Sequence, residues 1–363
     1  MPAPRYRRRA AVRRRRILAV AIVVLAIVSA VAVVRDLAPS RSLPTTTSSA
    51  PPSTTTSATP TTTTTTPPSP PFAVGTLSFT IVEPSTTGQT PRDLPTIVRY
   101  PATGTPGGAD VAGATPRAGP FPLVVFSQGF DISPEAYAGL LNAWAAAGYV
   151  VVDPAYPYTS PGAPGGVIRS DIVHHPSDLS YVITTLLADS ARPGGILSNL
   201  INPSRIGVIG QSDGGDVSLA AVANTCCRDG RIRAAVILSG AELSWFGGTY
   251  FTGPSVPLLV VQGTNDQVMN PVTCSVQLYN QAPEPKYYLS MIGQTHLSAY
   301  VPAGPARNEV ARVTIDFLNA YLAHSPPALH ALMREGNIPG LATITSASSI
   351  PSVAGTCPDA PVG

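Results

Sequence analysis

Arg205-Ile206-Gly207-Val208-Ile209-Gly210-Gln211-Ser212-Asp213-Gly214-Gly215 is the stretch on which the reading of this chain turns. Its first five residues form a short apolar, β-branched run, and a helical window follows from Gly214 to about Ala223. Glycines two places before and two places after Ser212 make the string G-x-S-x-G. A strand that must turn at once into a helix strains its backbone and packs closely, so small neighbours are required, and the serine hydroxyl is left exposed at the top of the strand. In a chain with 31 glycines the same string could be an ordinary glycine-rich turn. Its position between an apolar strand and a helix gives it chemical meaning.

Working outward, similar apolar runs recur at Leu77 to Val82, Thr96 to Tyr100, Pro122 to Phe126, Tyr149 to Val152, Ala234 to Leu238, Pro257 to Val261 and Lys286 to Met291. Continuously apolar short strands belong to a sheet covered on both faces. Helical windows fall between them at about Pro134 to Ala147, Ser177 to Ala188, Pro271 to Gln281 and Ala306 to Leu322, with Ser133-Pro134 a helix start. Strand and helix alternating in this way predict one doubly wound, mostly parallel α/β sheet of eight strands over residues 75–334, with its chemistry at the carboxyl ends of the strands.

Two more residues arrive in the order that a serine nucleophile needs, acid and then histidine. Asp266 follows the run ending at Val261, and His296 follows the run ending at Met291, 30 residues later. His296 is expected to take the proton of Ser212, and Asp266 to orient the imidazole and stabilise its charged form. Singly, Asp266 could be a loop cap and His296 a surface histidine. The tetrahedral oxyanion needs donors, and the backbone N–H groups of Phe130 and Asp213 occupy the matching positions; loss of one such donor typically costs roughly a hundredfold. His174 and His175, near Asp171 and Asp178, are adjacent and have no third partner in sight, so they read as helix-start or surface residues and no metal is expected. His324 and His330 read as solvent-facing.

The ends of the chain are different in kind. Residues 1–16 hold eight of the 23 basic residues and no acid, leaving 15 basic against 20 acidic residues elsewhere. The formal charge of +3 is therefore local and argues against nucleic acid as a partner. Ile17 to Val34 is apolar but for Ser29, just long enough to span a bilayer, and the arginines before it predict a cytoplasmic start with the rest exported. A signal peptide cleaved after Ala32 is the competing reading. Residues 35–74, rich in Thr, Ser and Pro, read as an extended stalk, and residues 335–363 as a Ser/Ala-rich tail.

With F-S-Q-G-F, G-Q-S-D-G-G, G-T-N-D and T-H-L in place, residues 75–325 resemble the α/β-hydrolase superfamily, and within it the exported group of dienelactone hydrolases, chlorophyllases, polyester hydrolases and platelet-activating-factor acetylhydrolases. The resemblance implies cleavage of carboxylic esters through an acyl-enzyme, without a cofactor, on a small-molecule, lipid or polymeric ester. Exported serine peptidases of this fold also carry a double glycine after the serine, so amide hydrolysis is the alternative, and an inactive surface-binding module of the same fold is the other. This chain has Gln128-Gly129 where the family usually has His-Gly, which keeps the backbone donor but puts a side-chain role in doubt. Trp245, Phe246, Tyr250 and Phe251 lie in a segment too short for a large cap domain, and are candidates to line an acyl or alcohol pocket or to pack in a loop. Four cysteines in an exported chain allow three pairings. Cys226 and Cys227 are adjacent, with Cα atoms closer than a disulfide prefers. They follow the helix after Ser212 down to the opposite face, whereas Cys274 starts its helix near the top, which favours Cys274 with Cys357.

Overall fold

The computed structural model describes residues 71–84, 90–267 and 271–360; the expected basic segment, anchor and most of the stalk fall outside them. No helix among the described residues is long and apolar enough to cross a membrane. Among the described residues ten strands form one sheet: β1 (Ala73–Glu83), β2 (Arg92–Ala102), β3 (Val111–Ala112), β4 (Phe121–Ser127), β5 (Val150–Pro154), β6 (Ile201–Gln211), β7 (Ile232–Leu238), β8 (Leu258–Gly263), β9 (Lys286–Met291) and β10 (Ala342–Thr345). Their spatial order is β10-β9-β8-β7-β6-β4-β5-β2-β1-β3. The run β5-β4-β6-β7-β8-β9 is parallel throughout, while β1, β2 and β10 pair antiparallel with their inner neighbours.

The sheet has two strands more than the eight expected. One is the two-residue β3, and the other is β10, which lies in the segment read as a tail. Described helices are α1 (Ala138–Ala146), α2 (His175–Ala191), α3 (Asp213–Ala223), α4 (Val272–Gln281), α5 (Pro305–Tyr321) and α6 (Pro326–Glu335). Ser133 does precede a helical start, but as a 3-10 turn over Pro134–Tyr137 that leads into α1, and its side chain makes no cap bond.

Both faces of the sheet are covered, which is why its strands are apolar without alternation. On one face Leu123, Val125, Val150, Val152 and Val208 pack with Leu179 and Val182 of α2, Val217 of α3 and Leu278 of α4. On the other, Val124, Phe126, Val151 and Ile209 pack with Leu140 and Trp144 of α1 and Val310 and Phe317 of α5. Chain order reverses between β4 and β6, with β5 on one side of β4 and β6 on the other. Ser127 at the end of β4 is level with Gly210 near the end of β6, so the loop after β4 and the turn at Ser212 open beside one another at the switch point.

Candidate active site

Ser212 sits between β6 and α3 at φ 56° and ψ −127°, a left-handed backbone that an L-residue holds only when its surroundings enforce it. The glycines of the motif are that enforcement. A Cβ on Gly210 would strike the carbonyl of Gly214, and one on Gly214 would strike the carbonyl of Ser127. Gly129 lies so close that a Cβ there would stand 3.3 Å from the Cβ of Ser212.

His296 Nε2 lies 2.8 Å from Ser212 Oγ, and its Nδ1 lies 2.8 Å from Asp266 Oδ2. Asp266 is 1 % exposed, and the same oxygen accepts a hydrogen bond from Gln262 Nε2 at 2.8 Å. A Cβ on Gly263 would strike the carbonyl of Gln294, so this glycine lets the loop carrying His296 settle on the loop carrying Asp266. Two further residues brace the set. Gln211, fully buried, donates from Nε2 to the His296 carbonyl at 3.1 Å and accepts at Oε1 from the Tyr137 hydroxyl at 2.7 Å. Gln211 is the unspecified second letter of G-x-S-x-G, and Tyr137 belongs to the turn before α1, so motif reading passed over both. Gln262, the polar residue near the end of the otherwise apolar β8, was likewise passed over, although its polarity at that position is a signal in the sequence.

The N–H groups of Phe130 and Asp213 flank the serine, and neither donates to a backbone carbonyl or side chain among the described residues. That leaves two donors for an oxygen bearing negative charge. The Gln128 side chain turns away, its amide group packed among the Ser160 hydroxyl, the Pro154 carbonyl and the Tyr156 N–H. It shapes the loop after β5.

Beside the serine, the Asp213 carboxylate takes a fork from Arg169, with Nε 3.0 Å from Oδ2 and Nη2 2.8 Å from Oδ1. Burial disfavours the guanidinium charge, but the hydrogen bonds that Arg169 donates to Asp213 and Asp359 outweigh it and hold Arg169 ionised. The guanidinium lies 4.9 Å above the Trp245 ring. The four aromatic candidates therefore separate. Trp245 stands beside the site, 41 % exposed. Tyr250 pairs with Asn224 just past the end of α3, and Phe251 lines a hollow with Val222, Ala223 and Pro254, a full helix length from Ser212. Phe246 packs on the core that α3 covers. The cysteines pair as Cys274 with Cys357 and as Cys226 with Cys227.

His175 begins α2 as expected but is buried, not on the surface. It stacks on Tyr156 at 3.9 Å and faces Asp171 at 3.4 Å, and Arg92 forks onto both Asp171 and Asp178. Burial pushes the His175 ring below its ordinary value against the pull of Asp171. The cluster is an ion-pair network joining α2 to β2. His324 and His330 are exposed.

Glu242, in the loop after β7, is 4 % exposed, and burial pushes its carboxyl from 4.5 up to about 7. A folded-state value above the unfolded one means that the folded chain holds the proton more tightly. Its contribution is complete below pH 4.5 and is lost as pH rises through 7. The fall in stability between pH 4 and pH 8 should therefore be smaller in Glu242→Gln by on the order of 3 kcal/mol. Thermal unfolding of both proteins across that range measures it; equal slopes would contradict it.

A doubly wound sheet with a buried serine elbow at its switch point, hydrogen-bonded to histidine and then to aspartate, defines an α/β-hydrolase. A family model described as PET hydrolase-like matches residues 59–325, and the chain belongs to that family, which places it among hydrolases of ester bonds. No curated protein matches the chain.

Proposed function

We propose that this chain is an exported serine hydrolase of carboxylic esters. The observation that carries the reading is the relay from Ser212 through His296 to Asp266, with both hydrogen bonds at 2.8 Å. Ser212 Oγ attacks the ester carbonyl while His296 Nε2 takes its proton. The carbonyl oxygen, now an anion, accepts from the N–H groups of Phe130 and Asp213. The proton then passes from His296 to the departing alkoxide, leaving an acyl group on Ser212, and water repeats the sequence to release the acid. Buried Asp266 holds the imidazole with Nδ1–H inward and offsets its positive charge. The family description extends the substrate class toward polyesters, and the short chain between β7 and β8, with no cap domain among the described residues, supports bulky or polymeric esters. Export rests on the N-terminal arginines and the apolar run after them.

Rapid mixing with 4-nitrophenyl butyrate should give a nitrophenol burst equal to the enzyme concentration, and quenching during turnover should leave the butyryl group on the peptide that bears Ser212. EDTA should change neither result. A burst without an adduct on that peptide, or activity lost to EDTA and indifferent to a fluorophosphonate, would overturn the reading.

A further inference from the structure

Arg169 is held next to the nucleophile by contacts that do not use all of it. Its Nε and Nη2 are committed to Asp213, which is 4 % exposed in its side chain, and its face lies on Trp245. A third N–H, on Nη1, donates at 2.9 Å to Asp359 Oδ2. A guanidinium carries five N–H donors, so two remain without a protein acceptor among the described residues. The partners also differ in kind. Asp213 is buried and one residue from Ser212, whereas Asp359 is 37 % exposed and lies near the end of the described chain. Asp359 is brought there by the Cys274–Cys357 disulfide and by the Ser244 N–H, which donates to the Asp359 carbonyl at 2.8 Å.

We infer that the outer edge of Arg169 is a carboxylate subsite, which Asp359 fills in cis, and that the substrate acid is one bearing a second, free carboxylate: a half-ester of a dicarboxylic acid. This rests on the ester-hydrolase reading and deepens it. Two features support it. Arg169 is preorganised by Asp213 and Trp245 whether or not Asp359 is present, so a substrate carboxylate meets a cation already in place, and the planar fork suits that group. Asp213 directly follows Ser212 in the chain, so the guanidinium held on its carboxylate belongs to the surroundings of the nucleophile, toward which the far end of a diacid bound at Ser212 would extend. Asp359 can give way because its carboxylate is 37 % exposed; Asp213, at 4 %, cannot. No new chemistry is required, since the ester is cleaved as above and the distal carboxylate only anchors the acyl chain.

The test compares two esters with the same acyl chain, mono-4-nitrophenyl adipate with a free carboxylate and its methyl-capped form. In Asp359→Asn the ratio of kcat/KM for the free acid over the capped ester should rise about tenfold, because one charge-assisted competitor for the guanidinium is gone. The gain should shrink at about 1 M salt, where the Debye length is roughly 3 Å. Adding Arg169→Lys should reverse it, since an ammonium cannot present the fork. A ratio unchanged by Asp359→Asn overturns the subsite, as does an equal rise for both esters, which would make the tail a steric flap only. If neither ester is turned over and a fluorophosphonate fails to label the parent protein, the ester-hydrolase reading falls and takes this one with it.

Discussion

Ser212→Ala is expected to lower ester turnover by about a 10⁵- to 10⁶-fold factor and to abolish fluorophosphonate labelling. Groups that act as a unit lose nearly everything when one is removed, and Ser212 Oγ is the atom to which both His296 and the reacting carbonyl are directed. The residual rate should be that of substrate held between the Phe130 and Asp213 amides and attacked by water. Alanine keeps the Cβ that already tolerates φ 56°, so the elbow should remain and thermal unfolding should change little. Turnover above about one per cent of the parent rate would remove Ser212 from the mechanism, because a serine acting only as a hydrogen-bond partner costs far less than a lost nucleophile.

The parts of the fold that were legible in the sequence are those governed by local pattern. The run Arg205 to Ile209 is apolar because β6 lies mid-sheet under helices on both faces, and Gly210 just after it is fixed by a collision only four residues away, with the Gly214 carbonyl. Asp266 and His296 could be found because each follows directly on such a strand. Missed elements are those whose stability comes from elsewhere in the chain. β10 is four residues long and is a strand only because the edge of β9 offers it partners, from Ala342 with Met291 to Thr345 with Tyr288. α6 opens on two prolines after a short break from α5, and it is held by packing such as that of fully buried Leu332. Polar contacts between distant segments have no periodicity at all. Arg169 lies 44 residues before Asp213 and 190 before Asp359, and nothing in either stretch announces the pairing. The same limit applies to the aromatic loop, where composition revealed four rings and only packing separated Trp245 from the other three.

Asp266→Asn should lower kcat by about 10⁴-fold with a much smaller change in KM, since the residue touches the histidine and not the substrate. In the parent, Asp266 Oδ2 receives both His296 Nδ1 and Gln262 Nε2. An asparagine that turns its oxygen to these donors keeps the geometry but leaves the imidazolium without a countercharge in a buried site. One that turns its nitrogen to them forces the imidazole into the opposite tautomer, so that Nε2 carries a proton toward Ser212 and cannot accept another. Either way the base fails, while a side chain of almost the same shape preserves the loop. Asn265→Ala is the matched control: Asn265 is exposed and, among the described residues, its side-chain amide reaches only the Gly293 carbonyl, at 3.3 Å, so turnover should fall less than about tenfold. Steady-state kinetics on 4-nitrophenyl butyrate separate the two. A loss in Asn265→Ala as deep as that in Asp266→Asn would mean that the loop's shape, and not the Asp266 charge, is what His296 requires.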